Sequence, residues 1–577
     1  MDRAPPPLPA AARADLVRLL RFRAENQPDD TALGWLGEDD QVAQRVTYAA
    51  WDRQARALAA HLQERRLQGE RALLLFPPSP EYLPAFFGCL YAGVVPVPAY
   101  PPRPHKPAPR VDAIVADARA TVALTTSAIL AKVQPLLAAS PGLRALTWLT
   151  PDTLEDASDR WVMPAIDAHT VAYLQYTSGT TALPRGVRLT HGNLVHNSAL
   201  IAEGFGHTPR DSGLFWLPVY HDMGLIGGVL QPMWIGRPTT LMAPAAFLQS
   251  PFRWLHAIAT LRATISGGPD MAYDLCARQV TAEQRDGLDL SSWDLAFTGA
   301  EPVRAETLDR FCRVFGPHGF RREAFYPCYG IAEATLIVTG GDRREAPPVL
   351  WVDRRALGEG RAVAVGEGHA DGWQLVSSGR SLGGQDLRIV SPADGTACQP
   401  GCVGEIWLRG PCVGDGYFGS CGPGEGAFGG RLEGDGGPPF LRTGDLGFLR
   451  DGELFVVGRL ADLVVVEGRS HYPHDVERTA EEAHAALRPG MGAALGTPAG
   501  LVLVFEVDRH AKVTAEEIAG AVAPAITRRH GLALAALVLL RTLGLPRTTS
   551  GKVQRVACRD AYLRGSLPVV GRWDAAP

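Results

Sequence analysis

The sequence predicts an α/β protein: a large N-terminal domain of α/β sheets with a small β-rich subdomain, followed by a small α+β C-terminal domain. Three observations carry this. Strand-like apolar runs alternate with helix-length stretches through about residue 340, the pattern of a sheet covered by helices on both faces. After that the strands become short and are separated by glycine turns, as in WQLVSSG, QDLRIV and GEIWLRG. Beyond about 460, a compact tail sets the strand LVLVFEV among helical stretches such as TAEEIAGAVAPAITRRH. A chain of 577 residues is too long for one core. These changes of texture put the domain limits at 1–459 and 460–577, with the β-rich part starting near 341.

Residues 13–26 read as an amphipathic helix that ends at QPDD. From 71, RALLLFPPSPEYLPAFFGCLYAGVVPVPAYPP reads as strand, helix and strand, a βαβ unit with prolines at its edges. The alternation continues to VAYLQY, and there the chain changes character: Thr177, Ser178, Gly179, Thr180 and Thr181 follow in a row. Consecutive N–H groups in a glycine-containing turn form an anion-binding concavity, and the hydroxyls add donors. Arg185 adds a permanent charge on a planar fork that suits phosphate oxygens. Taken alone, the loop is also compatible with a plain Ser/Thr turn. It is not GxxxxGK[ST], because the lysine and the spacing are absent.

Two local matches carry no function. GEGAFG (424–429) fits GxGxxG but has neither the preceding strand nor the following helix, and it lies in a glycine-rich loop spanning 419–439. GRSLG (379–383) joins two strands where a nucleophile elbow joins strand to helix, so Ser381 reads as a turn residue.

Composition excludes several classes. Apolar residues at 46% and charged residues at 20% describe a globular chain, not a disordered one. A net charge of −4 supplies no electrostatic reason to expect nucleic acid. No apolar run is long enough to span a bilayer, and the first residues put proline and charge where a signal peptide needs an apolar core, so a cytoplasmic protein is expected. Nine cysteines then read as reduced thiols. Cys398, Cys402, Cys412 and Cys421 lack the CxxC spacing of a zinc knuckle and read as packed or surface thiols.

Downstream, FTGAEPV (297–303) and YGIAEATL (329–336) each place glycine and a carboxylate at the end of a strand-like run, where open α/β sheets collect ligands. LRTGDLG places Asp445 after a tight turn, VVGRLADLVVV carries Arg459, and LPRTTSGKVQR carries Lys552. Of 57 basic residues only four, at 106, 132, 512 and 552, are lysine. A sequence that uses arginine almost everywhere and keeps Lys552 points to a compact point charge at a place where a planar fork does not fit.

In this order TSGTT, YG..E, TGD, GR..D and SGK resemble the adenylate-forming superfamily of acyl-CoA ligases, peptide-synthetase adenylation domains and luciferases. LQYTSG, FFGCLYAG, WLPVYHDMGLIGG, YGIAEATL and EGRSHYPHDVE resemble one branch of it, the fatty acyl-AMP ligases, over roughly residues 15–565. The resemblance implies ATP-dependent conversion of a medium- or long-chain fatty acid to acyl-AMP, with Mg²⁺. The acyl group would then pass to the phosphopantetheine arm of an acyl carrier protein. No GxDSL-like attachment site is present, so that carrier is a separate protein. By the same resemblance, Thr177 to Thr181 and Arg185 hold phosphates and Glu333 helps bind the metal. Gly299, Ala300, Glu301, Tyr329 and Gly330 line the adenine and α-phosphate region. Asp445 takes the ribose diol with Arg459 beside it, and Lys552 reaches in from a mobile C-terminal domain. His221 lies near the acyl carboxylate. Asp222 reads either as a helix cap or as one of the nucleotide-binding residues. MGLIGGVLQPMW supplies tunnel wall, although helix packing explains the same residues.

The chain departs from the superfamily at Ala182 and Arg185 in the loop and at Ala461, where a charged hinge residue is common. Residues 341–375 occupy the place of the branch-specific segment that limits use of CoA. A fatty acyl-CoA ligase, or a degenerate acyl-adenylate-binding protein, remains the alternative to an acyl-AMP ligase.

Overall fold

The structure is a computed structural model that describes the whole chain except residues 1–4, 103–107, 138–139, 178–183, 420–425, 467–468, 509–512, 549–550 and 576–577. Its scaffold is a 13-stranded sheet. Six strands run parallel in the spatial order Phe325–Gly330, Leu295–Thr298, Ile265–Gly268, Gly213–Phe215, Thr239–Leu241 and Thr31–Leu36. Parallel neighbours need long crossovers, and helices such as Phe252–Leu261, Asp270–Gln279 and Ala305–Phe315 supply them. These helices meet the sheet through an aromatic cluster of Trp254, Tyr273, Trp293, Phe311, Phe320 and Phe325. Each ring pair contributes about 0.5–1.5 kcal/mol beyond its buried area.

The glycine-turn strands read as a β-rich part join this same sheet. Beyond Phe325–Gly330 the order continues antiparallel through Ile337–Gly340, Arg380–Ser381, Glu453–Arg459, Leu441–Arg450, Gly404–Arg409 and Asp386–Val390. Short turns suffice for antiparallel neighbours, which is why the texture changes while the hydrogen-bonded sheet does not break. Ser381 lies in the two-residue strand of this series and donates to Gln385 O at 3.0 Å, a turn contact.

The βαβ unit at 71 is Arg71–Leu75, Tyr82–Ala92 and Val95–Ala99, within a four-stranded parallel sheet completed by Val122–Leu124 and Thr147–Leu149. The N-terminal amphipathic helix is Leu16–Asn26, capped by Asp15, which accepts from Arg18 N at 2.8 Å. Val171–Thr177 pairs antiparallel with Arg185–Thr190. Ser178, Gly179, Thr180 and Thr181, together with Ala182, lie outside the described residues.

After Arg459 a short turn, Leu460–Asp462, leads into four strands, Gly492–Thr497, Gly500–Val507, Leu534–Arg541 and Val569–Asp574, packed with the helices Pro473–Ala483, Ala515–His530 and Arg555–Leu563. Their apolar residues form clusters of their own. The 341–375 segment folds as Val349–Asp353 paired with Gly372–Val376, with the helix Arg354–Gly358 between. Its Val352, Leu357 and Trp373 bury against Phe448, Phe455 and Tyr472. Among the described residues, no helix is long and apolar enough to cross a membrane. No group of three His, Cys, Asp or Glu side chains there is placed to hold a metal.

Candidate active site

The carboxyl ends of the parallel strands open into a cleft of about 1390 Å³ that runs to the C-terminal domain. Thr298 and Gly330 end two neighbouring strands there, as a doubly wound sheet requires. Backbone is crowded at this rim. A Cβ on Gly330 would lie 1.7 Å from Leu336 O, and one on Gly299 would lie 2.7 Å from Cys328 O. Only glycine permits such an approach. Ala300 between these strand ends holds φ 68°, and Thr335, just past Glu333, holds φ 70°. For a β-branched residue that is a strained position. Its hydroxyl is tied to Cys412 O at 2.6 Å.

Asp445 is the centre of one cluster. It faces Arg459 across adjacent antiparallel strands, and Arg459 Nε donates to its Oδ1 at 2.9 Å while the Tyr329 hydroxyl donates to its Oδ2 at 2.8 Å. The Asp445 carboxylate holds the Arg459 guanidinium above its ordinary pKa. Glu333, beside them, accepts from the Tyr417 hydroxyl at 2.9 Å, and the Arg185 guanidinium lies 5.0 Å from the Tyr417 ring centre. Burial pushes the Glu333 carboxyl up, an environment that a cation would relieve. Tyr417 was not among the residues singled out from the sequence. Its one signal is an aromatic in GDGYFG at the entrance to the glycine-rich loop.

A second cluster joins His221, Asp222 and Lys552. The His221 ring pairs with Asp222, whose Oδ1 also accepts from Met223 N at 2.7 Å, so Asp222 does cap the helical stretch 223–230. Burial works against the Asp222 carboxylate, yet the His221 ring and the Lys552 ammonium outweigh it and keep its carboxyl below the usual range. Burial in turn pushes the Lys552 ammonium down, with Asp222 opposing. Asp222 thus sits with the His221 and Lys552 pair and not in the Asp445 group. Thr177, Arg185, Ala300, Glu301, Tyr329, Gly330 and Glu333 line the same cleft, as do Asp445, Arg459, Ala461 and Lys552. Gly299, next to Ala300, is not itself among the lining residues.

Charged pairs that the sequence did not reveal order the start of the C-terminal domain and tie it to the N-terminal one. Arg555 bonds both oxygens of Glu477 at 2.7 Å and reaches Asp462 at 3.3 Å, one residue beyond the exposed Ala461. Arg304 lies 3.8 Å from Glu481, and its N–H donates to buried Asp270 at 3.0 Å. Burial raises both Asp270 and Glu481 to about 7, against the pull of Arg304. The unfolded chain ionises these carboxyls near pH 4, so between about pH 4 and 7 the folded protein binds more protons. Stability therefore falls as pH rises through that window, and the loss is complete above 7. Asp270→Asn and Glu481→Gln are each expected to remove about 1–3 kcal/mol of that decline. Urea unfolding at intervals from pH 4.5 to 8 measures it, and parallel curves for variant and parent refute it.

Residues 20–418 match the family described as AMP-binding enzyme, and 461–571 match the AMP domain of the Disco-interacting protein 2-like family. Over 573 residues the chain is 42% identical to the medium-chain-fatty-acid–[acyl-carrier-protein] ligase JamA of Moorena producens, covering 97% of this chain and 96% of that protein. It is 37% identical to the long-chain-fatty-acid–AMP ligase FadD32 of Mycolicibacterium smegmatis, covering 92% and 91%. A fatty acyl-adenylate ligase from L. pneumophila, solved in complex with acyl adenylate and pyrophosphate, superposes with a TM-score of 0.75 at 36% identity, covering 97% and 98%.

Proposed function

Since the chain belongs to the AMP-binding enzymes and, among them, to the fatty acyl-AMP ligases, we propose that it activates a medium- or long-chain fatty acid with ATP and delivers the acyl group to a separate acyl carrier protein. In the first step a carboxylate oxygen of the acid attacks the α-phosphorus of ATP. The bond from that phosphorus to the β-bridging oxygen breaks, and pyrophosphate leaves with the electron pair. In the second, the phosphopantetheine sulfur attacks the acyl carbon, AMP leaves, and the thiol proton goes to solvent. Both are expected to take place in the cytoplasm.

The observation that carries this reading is the meeting, in one cleft, of Lys552 from the C-terminal part with the Asp445, Arg459 and Tyr329 cluster and with Glu333. The first barrier is mostly charge, an anion approaching a polyanion, so fixed cations and aligned donors lower it. Lys552 would sit at the α-phosphate and acyl oxygens. His221, oriented by Asp222, would face the acyl carboxylate. Asp445 would accept the ribose hydroxyls, with Arg459 paired to its carboxylate. Gly299 to Glu301, with Tyr329 and Gly330, would shape the adenine pocket, and Arg185 with Thr177 to Thr181 would take the β- and γ-phosphates. Glu333 suits Mg²⁺, which ordinarily takes one or two carboxylates and completes its shell with phosphates and water. Bound there, it would supply neutralising charge. Mass spectrometry of products from a panel of fatty acids with ATP and Mg²⁺, with and without CoA, tests the function. Acyl-AMP that persists beside CoA supports it, conversion to acyl-CoA replaces the acceptor, and no adenylate from any acid refutes it.

The choice of acceptor is expected to depend on the 341–375 segment. Deleting it should raise use of CoA, but deletion would also uncover Phe448, Phe455 and Tyr472. A milder change is available. Arg354 pairs with Asp475 at the start of the C-terminal part, where the Tyr472 hydroxyl donates to Leu357 O at 3.2 Å. Arg354→Met is expected to loosen this attachment and raise the acyl-CoA share of product severalfold. An unchanged product ratio in both variants removes the segment from the account.

A further inference from the structure

Eight arginines line the cleft, and six of them are already answered. Arg304, Arg442, Arg459, Arg478 and Arg555 each pair with a carboxylate, those of Glu481, Glu405, Asp445, Glu306 and Glu477 in that order. Arg547 donates to Gly551 O at 2.9 Å and to Gly490 O at 2.8 Å. Arg110 and Arg185 are left. Among the described residues neither has a carboxylate partner; Arg185 has the Tyr417 ring, and Arg110 has no hydrogen bond or ion pair from its side chain.

Both stand where the hydroxyl-rich loop leaves its strand. Arg110 is in the first turn of the helix Pro109–Ala118, which buries Val111, Ile114, Val115 and Ala118 with Leu174 and Tyr176 of the strand Val171–Thr177. Asp117, near the far end of that helix, accepts from the Tyr176 hydroxyl at 2.5 Å. Arg110 stands seven positions before Asp117, two turns and about 10 Å along the same flank. Arg185 pairs with Thr177 across the hairpin, next to the pair of Tyr176 with Gly186. The two unanswered guanidinium groups thus come from elements that meet at Tyr176, and Arg110, Tyr176, Thr177 and Arg185 all line the cleft. A partly buried guanidinium gives up hydration, and without a partner it gains nothing in return. Burial pulls the Arg110 guanidinium down from its ordinary pKa, and no carboxylate opposes it. The acid of the first turn, Asp112, is bonded by the Ser140 hydroxyl and projects two positions on from Arg110, from the opposite side of the helix. Ala108 supplies no side-chain cap, so the positive end of the helix dipole adds to the charge of Arg110. A planar fork in such a setting suits the oxygens of a phosphate.

We propose that Arg110 is a further phosphate-binding residue of this cleft, a second guanidinium that works with Arg185. The inference rests on the ligase reading above, which brings two phosphates to the cleft: the terminal phosphate of ATP, released in pyrophosphate, and the phosphate of the phosphopantetheine arm. The full chain is compared with Arg110→Met and Arg110→Lys by titration calorimetry. The probes are pyrophosphate with Mg²⁺, and 4′-phosphopantetheine beside pantetheine, which lacks the phosphate. Arg110→Met keeps the apolar stem and is expected to weaken at least one of the two phosphate ligands by about 10–100-fold, the worth of hydrogen bonds to a charged group. Pantetheine should bind as before. Arg110→Lys keeps the charge without the fork and should recover part of the loss. Weaker pyrophosphate assigns Arg110 to the ATP end, and a lost preference for phosphopantetheine over pantetheine assigns it to the arm. Because no carboxylate depends on Arg110, the Tm of Arg110→Met should equal or exceed that of the parent. Unchanged affinity for both phosphates overturns the inference. So does a lowered Tm with equal losses for ligands with and without phosphate. None of these titrations needs turnover, so a parent that binds the phosphates and forms no acyl-AMP overturns the proposed function alone.

Discussion

Lys552→Ala is expected to slow acyl-AMP formation by about 10²–10³-fold in kcat, the usual cost of removing one group that stabilises developing charge. The fold should survive. What the surrounding turn asks of position 552 is main chain: Thr548 N donates to Lys552 O at 2.8 Å, and Lys552 N donates to Thr548 Oγ1 at 3.0 Å. Alanine keeps both. Most of the ATP contact assigned above lies on the other side of the cleft, so the Kd for ATP should change by no more than a few-fold while kcat collapses. Lys552→Arg should restore little, because the guanidinium is a planar fork and the site holds a compact ammonium beside Asp222. Single-turnover formation of acyl-AMP with ATP titrated separately measures the two effects. A variant that makes adenylate at the parent rate refutes the mechanism and moves weight to a binding protein with no catalysis of its own.

Asp445→Asn is expected to raise the KM for ATP by about 10–100-fold, the worth of one or two hydrogen bonds to a charged group. Both carboxylate oxygens are already in use, one by the Tyr329 hydroxyl and the other by Arg459 Nε. An amide places its NH₂ against one of those donors and removes the charge that Arg459 answers. Arg459 is 46% exposed on the cleft side, so water softens the loss, and a stability cost of about 1–2 kcal/mol is expected instead of the larger penalty of a buried orphan. The ribose supplies the specific readout. If Asp445 accepts the diol, the parent discriminates against 2′-deoxy-ATP and the variant does so far less. A discrimination ratio identical in both places the ribose elsewhere.

What was legible in the sequence was what local rules encode. The alternation of strand and helix follows from the periodicity of burial, and the C-terminal tail from its return to that pattern. The placement of Glu301 and Glu333 beyond Thr298 and Gly330 follows from glycines that end strands. The scarcity of lysine singled out Lys552 without any structure. Tyr417 escaped because its partner Glu333 lies 84 residues away, and an aromatic in a glycine-rich stretch has no periodic signature. Asp270, Arg304 and Glu481 escaped for the same reason, since isolated charges in or beside helix ends read as solvent-facing until a distant segment covers them.

The sequence by itself therefore determined the fold class, the family resemblance and the chemical types of the cleft residues, all properties of short windows. The tertiary structure alone decided that the glycine-turn strands extend the parallel sheet and that Asp222 engages His221 and Lys552. Each of these depends on strand order, helix pitch or domain docking, through contacts between segments far apart in the chain, which short sequence windows cannot specify.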